Sequence, residues 1–72
     1  MKHIFYQIKV TGQYACFQQQ ASISSKNIYA TYPSQEIINA FIDVCCNSEN
    51  IFANLDKDTV NFKVLELELI EN

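Results

Sequence analysis

The side chains that could do chemistry in this chain are few and poorly spaced for it. Cys45 and Cys46 are adjacent, Cys16 stands far upstream, and His3 is the single histidine. A structural zinc site takes four ligands, usually in separated pairs such as Cys-x-x-Cys. Neighbouring residues on a helix point about 100° apart. Cys16 and His3 complete no ligand pattern with the adjacent pair. The expectation is that the cysteines act as small buried hydrophobes and that no metal is bound. His3 lacks a nearby nucleophile motif, so no catalytic role is assigned to it.

Asp56-Lys57-Asp58 has the opening of a calcium loop but not its continuation. The loop glycine is missing, and the twelfth position counted from Asp56 is Leu67 rather than an acid. The segment reads as a turn. One glycine cannot build a phosphate-cradling loop. Glu66 and Glu68 are a carboxylate pair two apart on an expected strand and so about 7 Å apart on one face. Such a pair keeps a last strand soluble or blunts an exposed edge. No assembled active site and no cofactor motif emerges, so the expectation is a protein that is not an enzyme.

The charges are more informative. The first acid is Glu36; before it stand only the charged residues Lys2, Lys9 and Lys26, and from it onward come all eight acids against Lys57 and Lys63. That asymmetry bears on encounter and partner choice rather than on fold. Glu36 and Asp43 share the outer face of an expected helix, and Glu66, Glu68 and Glu71 mark the last strand and tail. These five are the candidate partner-binding residues. If their surfaces adjoin, they form a negative patch suited to a basic groove on another protein, such as the nucleic-acid-binding surface of a larger complex. In size, acidity and lack of a catalytic set, the chain is similar in kind to small phage-encoded inhibitors such as anti-CRISPR proteins. The likeness rests on no motif and assigns no residue. It implies a non-enzymatic inhibitor that occupies a nucleic-acid site on its target.

An alternative class is a small nucleic-acid-binding or regulatory domain. Lys2, Lys9 and Lys26 lie in the strand-rich half with Phe5, Tyr14 and Tyr29, and sheet aromatics can stack bases while lysine meets phosphate. The chain has no arginine, and its net charge is −3. Direct nucleic-acid binding is therefore disfavoured.

Composition bounds the rest. Seventy-two residues make one domain with a small core. The hydrophobic share, 49%, is too high for a disordered chain. Nine aromatics are expected to carry much of the core. Dimerisation would add burial that so small a core lacks, and a homodimer is compatible with the chain. The opening apolar run is broken by Gln7 and Lys9 and does not read as a signal peptide. No stretch reaches bilayer-spanning length, so no membrane role is expected. Three unpaired cysteines fit a reducing cytoplasm, bacterial or that of a phage host.

The elements follow from periodicity. Ile4, Tyr6, Ile8 and Val10 alternate with His3, Phe5, Gln7 and Lys9, which predicts a strand. Thr11-Gly12-Gln13 holds the only glycine and predicts a hairpin turn, with 14–20 returning antiparallel. Ser24-Ser25-Lys26-Asn27 reads as a second turn before a strand over 28–32; the other reading is one strand continuing through a bulge. Tyr32-Pro33-Ser34 then predicts a helix start, with Ser34 as N-cap and Glu36 in the first turn. The helix spans about 35–47. Its apolar side is Ile37, Phe41, Val44 and Cys45, widened by Ile38 and Ile42, and its solvated side is Glu36, Asn39, Asp43 and Asn47. Ile51, Phe52 and Leu55 are expected to anchor the connector. A last strand runs over 60–70. Its parity slips between Val60, Phe62, Val64 and Leu65, Leu67, Leu69. A bulge near Val64-Leu65 would put both sets on one face; otherwise both faces are covered. The resulting expectation is an α+β domain: a small antiparallel sheet of three or four strands with one main helix on one face, in the order β-β-(β)-α-β.

Overall fold

The computed structural model describes residues 2–47 and 54–70. Among the described residues the regular structure is three strands and one helix: β1 (Lys2–Gln13), β2 (Gln20–Ser24), α1 (Gln35–Cys46) and β3 (Asn61–Ile70), with a 3₁₀ turn at Lys57–Thr59 before β3. The sheet is antiparallel in the order β2-β1-β3. This is the expected α+β arrangement.

Strand pairing sorts every side chain onto one of two faces. Val10 lies opposite Ile23 and Gly12 opposite Ala21. Ile8 lies opposite Val64 and Tyr6 opposite Glu66. These residues share the face on which α1 packs. There Ile8, Val10, Ala21, Ile38, Cys45 and Leu55 form the buried core. No aromatic side chain belongs to that fully buried set among the described residues. The rings expected to dominate the core instead flank it: Tyr14, Tyr29 and Phe41 pack against it half-buried.

α1 begins as its sequence dictates. Ser34 is extended at φ −70° and ψ 162°, and its hydroxyl accepts the Ile37 amide at 3.3 Å. At the other end, the Cys45 carbonyl accepts the Leu55 N–H at 3.0 Å, tying the helix to the returning chain. The buried stripe is Ile38 and Cys45, with Phe41, Ile42 and Cys46 half-buried. It is rotated from the expected one, since Ile37 and Val44 are exposed, Val44 at 67%. Glu36, Asn39, Asp43 and Asn47 are exposed, as expected.

Two of the expected turns are corrected. β1 runs straight through Gly12 to Gln13. The turn lies later, in a loop over 14–19 closed by the Tyr14 amide donating to the Gln19 carbonyl at 3.1 Å. Gly12 serves close approach instead: a Cβ there would stand 3.2 Å from Val60 Cγ2. The return strand is therefore Gln20–Ser24 rather than 14–20. Beyond it no strand forms over 28–32. Ser24 pairs with Lys9, and Tyr29 forms a single bridge to Tyr6, so extra residues bulge out between them. Ser25 fastens this bulge. It is 4% exposed, its hydroxyl accepts the Ile8 N–H at 3.1 Å and donates to the Asn27 carbonyl at 2.9 Å.

β3 pairs with β1 in one unbroken register from Asn61 to Ile70. No bulge interrupts Val64-Leu65, so the parity slip is real and the two apolar sets face opposite sides. The turn at Asp56-Lys57-Asp58 is as expected, with Asp56 Oδ1 accepting the Asp58 N–H at 3.1 Å. Leu55 is buried and anchors the connector; Ile51 and Phe52 lie outside the described residues.

Candidate partner-binding surface

The two acidic pairs are positioned by different elements. Glu36 and Asp43 stand two turns apart on the exposed side of α1, about 10 Å along the axis. Glu66 and Glu68 lie opposite Tyr6 and Ile4 on β3, both exposed. By parity they project on the face that carries α1. All four acids therefore stand on the helix side of the sheet. Glu71 lies outside the described residues.

Glu68 is bonded to Lys2, Nζ to Oε1 at 2.9 Å, with both side chains more than half exposed. An ion pair so exposed contributes little to stability. It does lower the local negative charge at that end of the sheet. Glu36 has a structural role as well, since an acid in the first helical turn complements the helix dipole.

The lysines are distributed otherwise. Lys9 and Lys63 are directly opposite each other on the reverse face. Around them are Gln7, Thr11, Ser22, Ser24 and Asn61, with no acid among these cross-strand neighbours. The sheet thus separates charge: acids on the helix side, Lys9 and Lys63 behind.

The lysine–aromatic set of the alternative reading is not gathered. Phe5 and Lys9 belong to the reverse face by parity. Tyr14 and Tyr29 pack half-buried on the helix face, and Lys26 sits in the bulge. Tyr6 meets Tyr32 edge-on at 5.5 Å and Tyr14 meets Phe17 edge-on at 5.5 Å, so these rings pack against one another. No platform of parallel, accessible rings is formed by these residues.

The cysteines are separated by environment. Cys16 is exposed in the 14–19 loop, Cys45 is buried and Cys46 half-buried. Burial pushes the Cys45 thiol above its ordinary pKa, and the neighbouring Cys46 adds to the effect. Burial also raises the Cys46 thiol, opposed in part by Lys57. Neither is an activated thiolate. Among the described residues, no group of three His, Cys, Asp or Glu side chains is placed to hold a metal ion. No helix among them is long and apolar enough to cross a membrane.

One surface escaped the residue-by-residue reading. Behind the sheet, Phe5, Ile28, Leu67 and Leu69 line a shallow depression of about 400 Å³ with Glu68 at its rim. Leu69 is 58% exposed and Ile28 55%. The parity slip in β3 was its signal in the sequence. The chain matches no protein-family description, no curated protein and no solved structure.

Proposed function

We propose that the chain is a non-enzymatic binding module whose acidic, helix-side surface docks on a basic protein surface. The observation that carries the reading is the separation of charge across the sheet: Glu36, Asp43, Glu66 and Glu68 on the α1 side, Lys9 and Lys63 behind. Opposite charges steer encounter and set orientation, and they do so over a surface rather than at a catalytic point. A basic protein surface commonly holds nucleic acid, so occupation of it would make the module an inhibitor, phage-encoded inhibitors being the nearest in kind. The cytoplasm, bacterial or that of a phage host, is the compartment this reading implies.

Affinity capture of the tagged protein from bacterial lysate, with mass spectrometry, tests it. The expected result is a stoichiometric protein partner released by salt. A mobility shift with random DNA and RNA at low salt is the counter-test. Retention of nucleic acid by the purified chain, with no protein partner, would overturn the proposal.

A further inference from the structure

β3 is an edge strand of ten residues, Asn61–Ile70, with β1 on one side and, among the described residues, no strand on the other. Its outward backbone groups can be identified. On β1, the Tyr6 N–H and C=O both bond Tyr29, and the Ile8 carbonyl accepts the Ser25 N–H. Even-numbered residues of β1 therefore turn their backbone toward β2. Odd-numbered ones turn toward β3, as the Gln13 N–H does in donating to Thr59 Oγ1. In an antiparallel ladder the bonded partners are the directly opposite residues. So Leu65, Leu67 and Leu69 bond β1, and Phe62, Val64, Glu66, Glu68 and Ile70 present their N–H and C=O groups to the open edge.

Long edges with apolar side chains on both faces are templates for another strand. β3 has Phe62 and Val64 on one face and Leu65, Leu67 and Leu69 on the other. The size of the molecule points the same way. A compact chain of 8.3 kDa exposes about 4,600 Å². This one exposes 5370 Å², an excess of about 800 Å², which matches one partner's share of a standard interface. Its radius of gyration is 13.8 Å against about 11 Å for a compact chain of this length.

We propose that β3 pairs antiparallel with β3 of a second copy, with Leu65 on the two-fold axis, to make one continuous six-stranded sheet. The register follows by elimination. A two-fold axis normal to the sheet keeps each side chain on its own face, so the axis passes through a residue meeting its own copy. An axis at Lys63 or at Glu66 opposes like charges directly, and one at Leu67 sets Glu66 against Glu68; like charges directly opposite are destabilising. An axis at Val64 pairs only 61–67. An axis at Leu65 pairs 61–69, the longest overlap without such a clash. In that register Val64 exchanges both backbone bonds with Glu66 of the second copy, and Phe62 does so with Glu68. Behind the sheet, Leu65 meets Leu65 with Leu67 diagonal to it, while Leu67 and Leu69 face Lys63 and Asn61 of the second copy. The helix-side acids stay open to a partner, so this inference does not depend on the docking proposal above.

Three measurements on the full chain test it. Light scattering at tens of micromolar should give twice the chain mass; a monomer would overturn the proposal. Glu66→Pro removes an outward N–H and no bond to β1, so it should yield a monomer whose circular dichroism is unchanged. A folded Glu66→Pro protein that stays dimeric would place the interface elsewhere. If Glu66→Pro fails to fold, cysteine crosslinking decides. On the axis the Leu65 Cα atoms sit at a non-hydrogen-bonded position, about 4.5 Å apart, within disulfide reach. In a Cys16→Ser background, Leu65→Cys should form a covalent dimer on mild oxidation, while Leu69→Cys, which opposes Asn61, should not. Crosslinking through Leu69→Cys and not Leu65→Cys would overturn the register.

Discussion

The hydroxyl of Ser25 accepts the backbone N–H of Ile8 at 3.1 Å, inside the bulge between β2 and the Tyr29 bridge. Ile8 is fully buried, and its N–H faces the bulge, where the backbone bond of a regular ladder is replaced by a side-chain oxygen. Ser25→Ala should therefore orphan a buried donor, at a cost of about 1–3 kcal/mol. The urea midpoint should fall with an unchanged m-value. An unmoved midpoint would show that another acceptor reaches Ile8.

Gly12 makes a second prediction. An added methyl would stand 3.2 Å from Val60 Cγ2 and 3.4 Å from Val60 Cα. Overpacking costs about 1–3 kcal/mol, against about 0.4–1 kcal/mol gained from stiffening the unfolded chain. Gly12→Ala should destabilise by about 1 kcal/mol net on those figures. Adding Val60→Ala should remove the steric part, which a double-mutant cycle in denaturant would read.

These two residues also mark what the sequence could and could not disclose. α1 was legible because its signals are local: Ser34 at the cap, Glu36 in the first turn, and apolar residues at helical spacing. β1 was legible from its alternation. Gly12 misled because glycine serves turns and close approaches alike, and only the position of Val60 separates the two. The bulge was offered only as the alternative to a turn, since Ser25 is marked by its bond to Ile8, seventeen positions away in the chain. β3 declared its two apolar faces openly. The bulge proposed to reconcile them is not there, and one face is left open behind the sheet. The acids were readable as residues, but the face on which Glu66 and Glu68 stand depends on the register of β3 against β1.

That register has its own test. Lys9 and Lys63 are directly opposite, with no acid among their cross-strand neighbours. Replacing a like-charge pair by an opposite one in this position is worth roughly 0.2–1 kcal/mol. Lys63→Glu should raise the denaturation midpoint, more at low salt than at high salt. Lys63→Gln should give a smaller part of the gain. A fall in stability on Lys63→Glu would argue against the pairing.

Cys45 and Cys46 should differ in both packing and titration. Cys46→Ser should leave the fold nearly unchanged. Cys45→Ser sets a hydroxyl in the apolar core and should destabilise by about 1–3 kcal/mol. The Cys45 thiol is raised above 9.0 in the folded state. Below pH 9.0 both states keep the proton and stability is unaffected. Above it the unfolded chain loses the proton first, so stability should fall as pH rises past 9.0. Cys45→Ala should lower stability overall and remove this part of the alkaline slope. Thiol reagents at neutral pH should label exposed Cys16 well before Cys45.

The docking proposal makes the last prediction. Charge reversal at Glu36 with Asp43 changes only exposed side chains of α1, so unfolding should shift by little, apart from up to about 1 kcal/mol for Glu36 at the helix N-terminus. Reversal at Glu66 with Glu68 also breaks the bond to Lys2, a contact worth at most about 1 kcal/mol. Each acidic pair, once reversed, should slow association with the captured partner by roughly tenfold at low salt, with the difference shrinking as salt rises. Lys9 with Lys63 is the matched control, because Lys2 is engaged by Glu68 and its reversal would disturb the acids themselves. The molecular mass of each variant should be measured in the same samples, since Glu66 and Glu68 lie on the open edge of β3. A variant that stays dimeric yet loses the partner separates docking from self-association. If the lysine pair abolishes binding while both acidic pairs are silent, the partner sits behind the sheet and the helix-side acids serve only solubility.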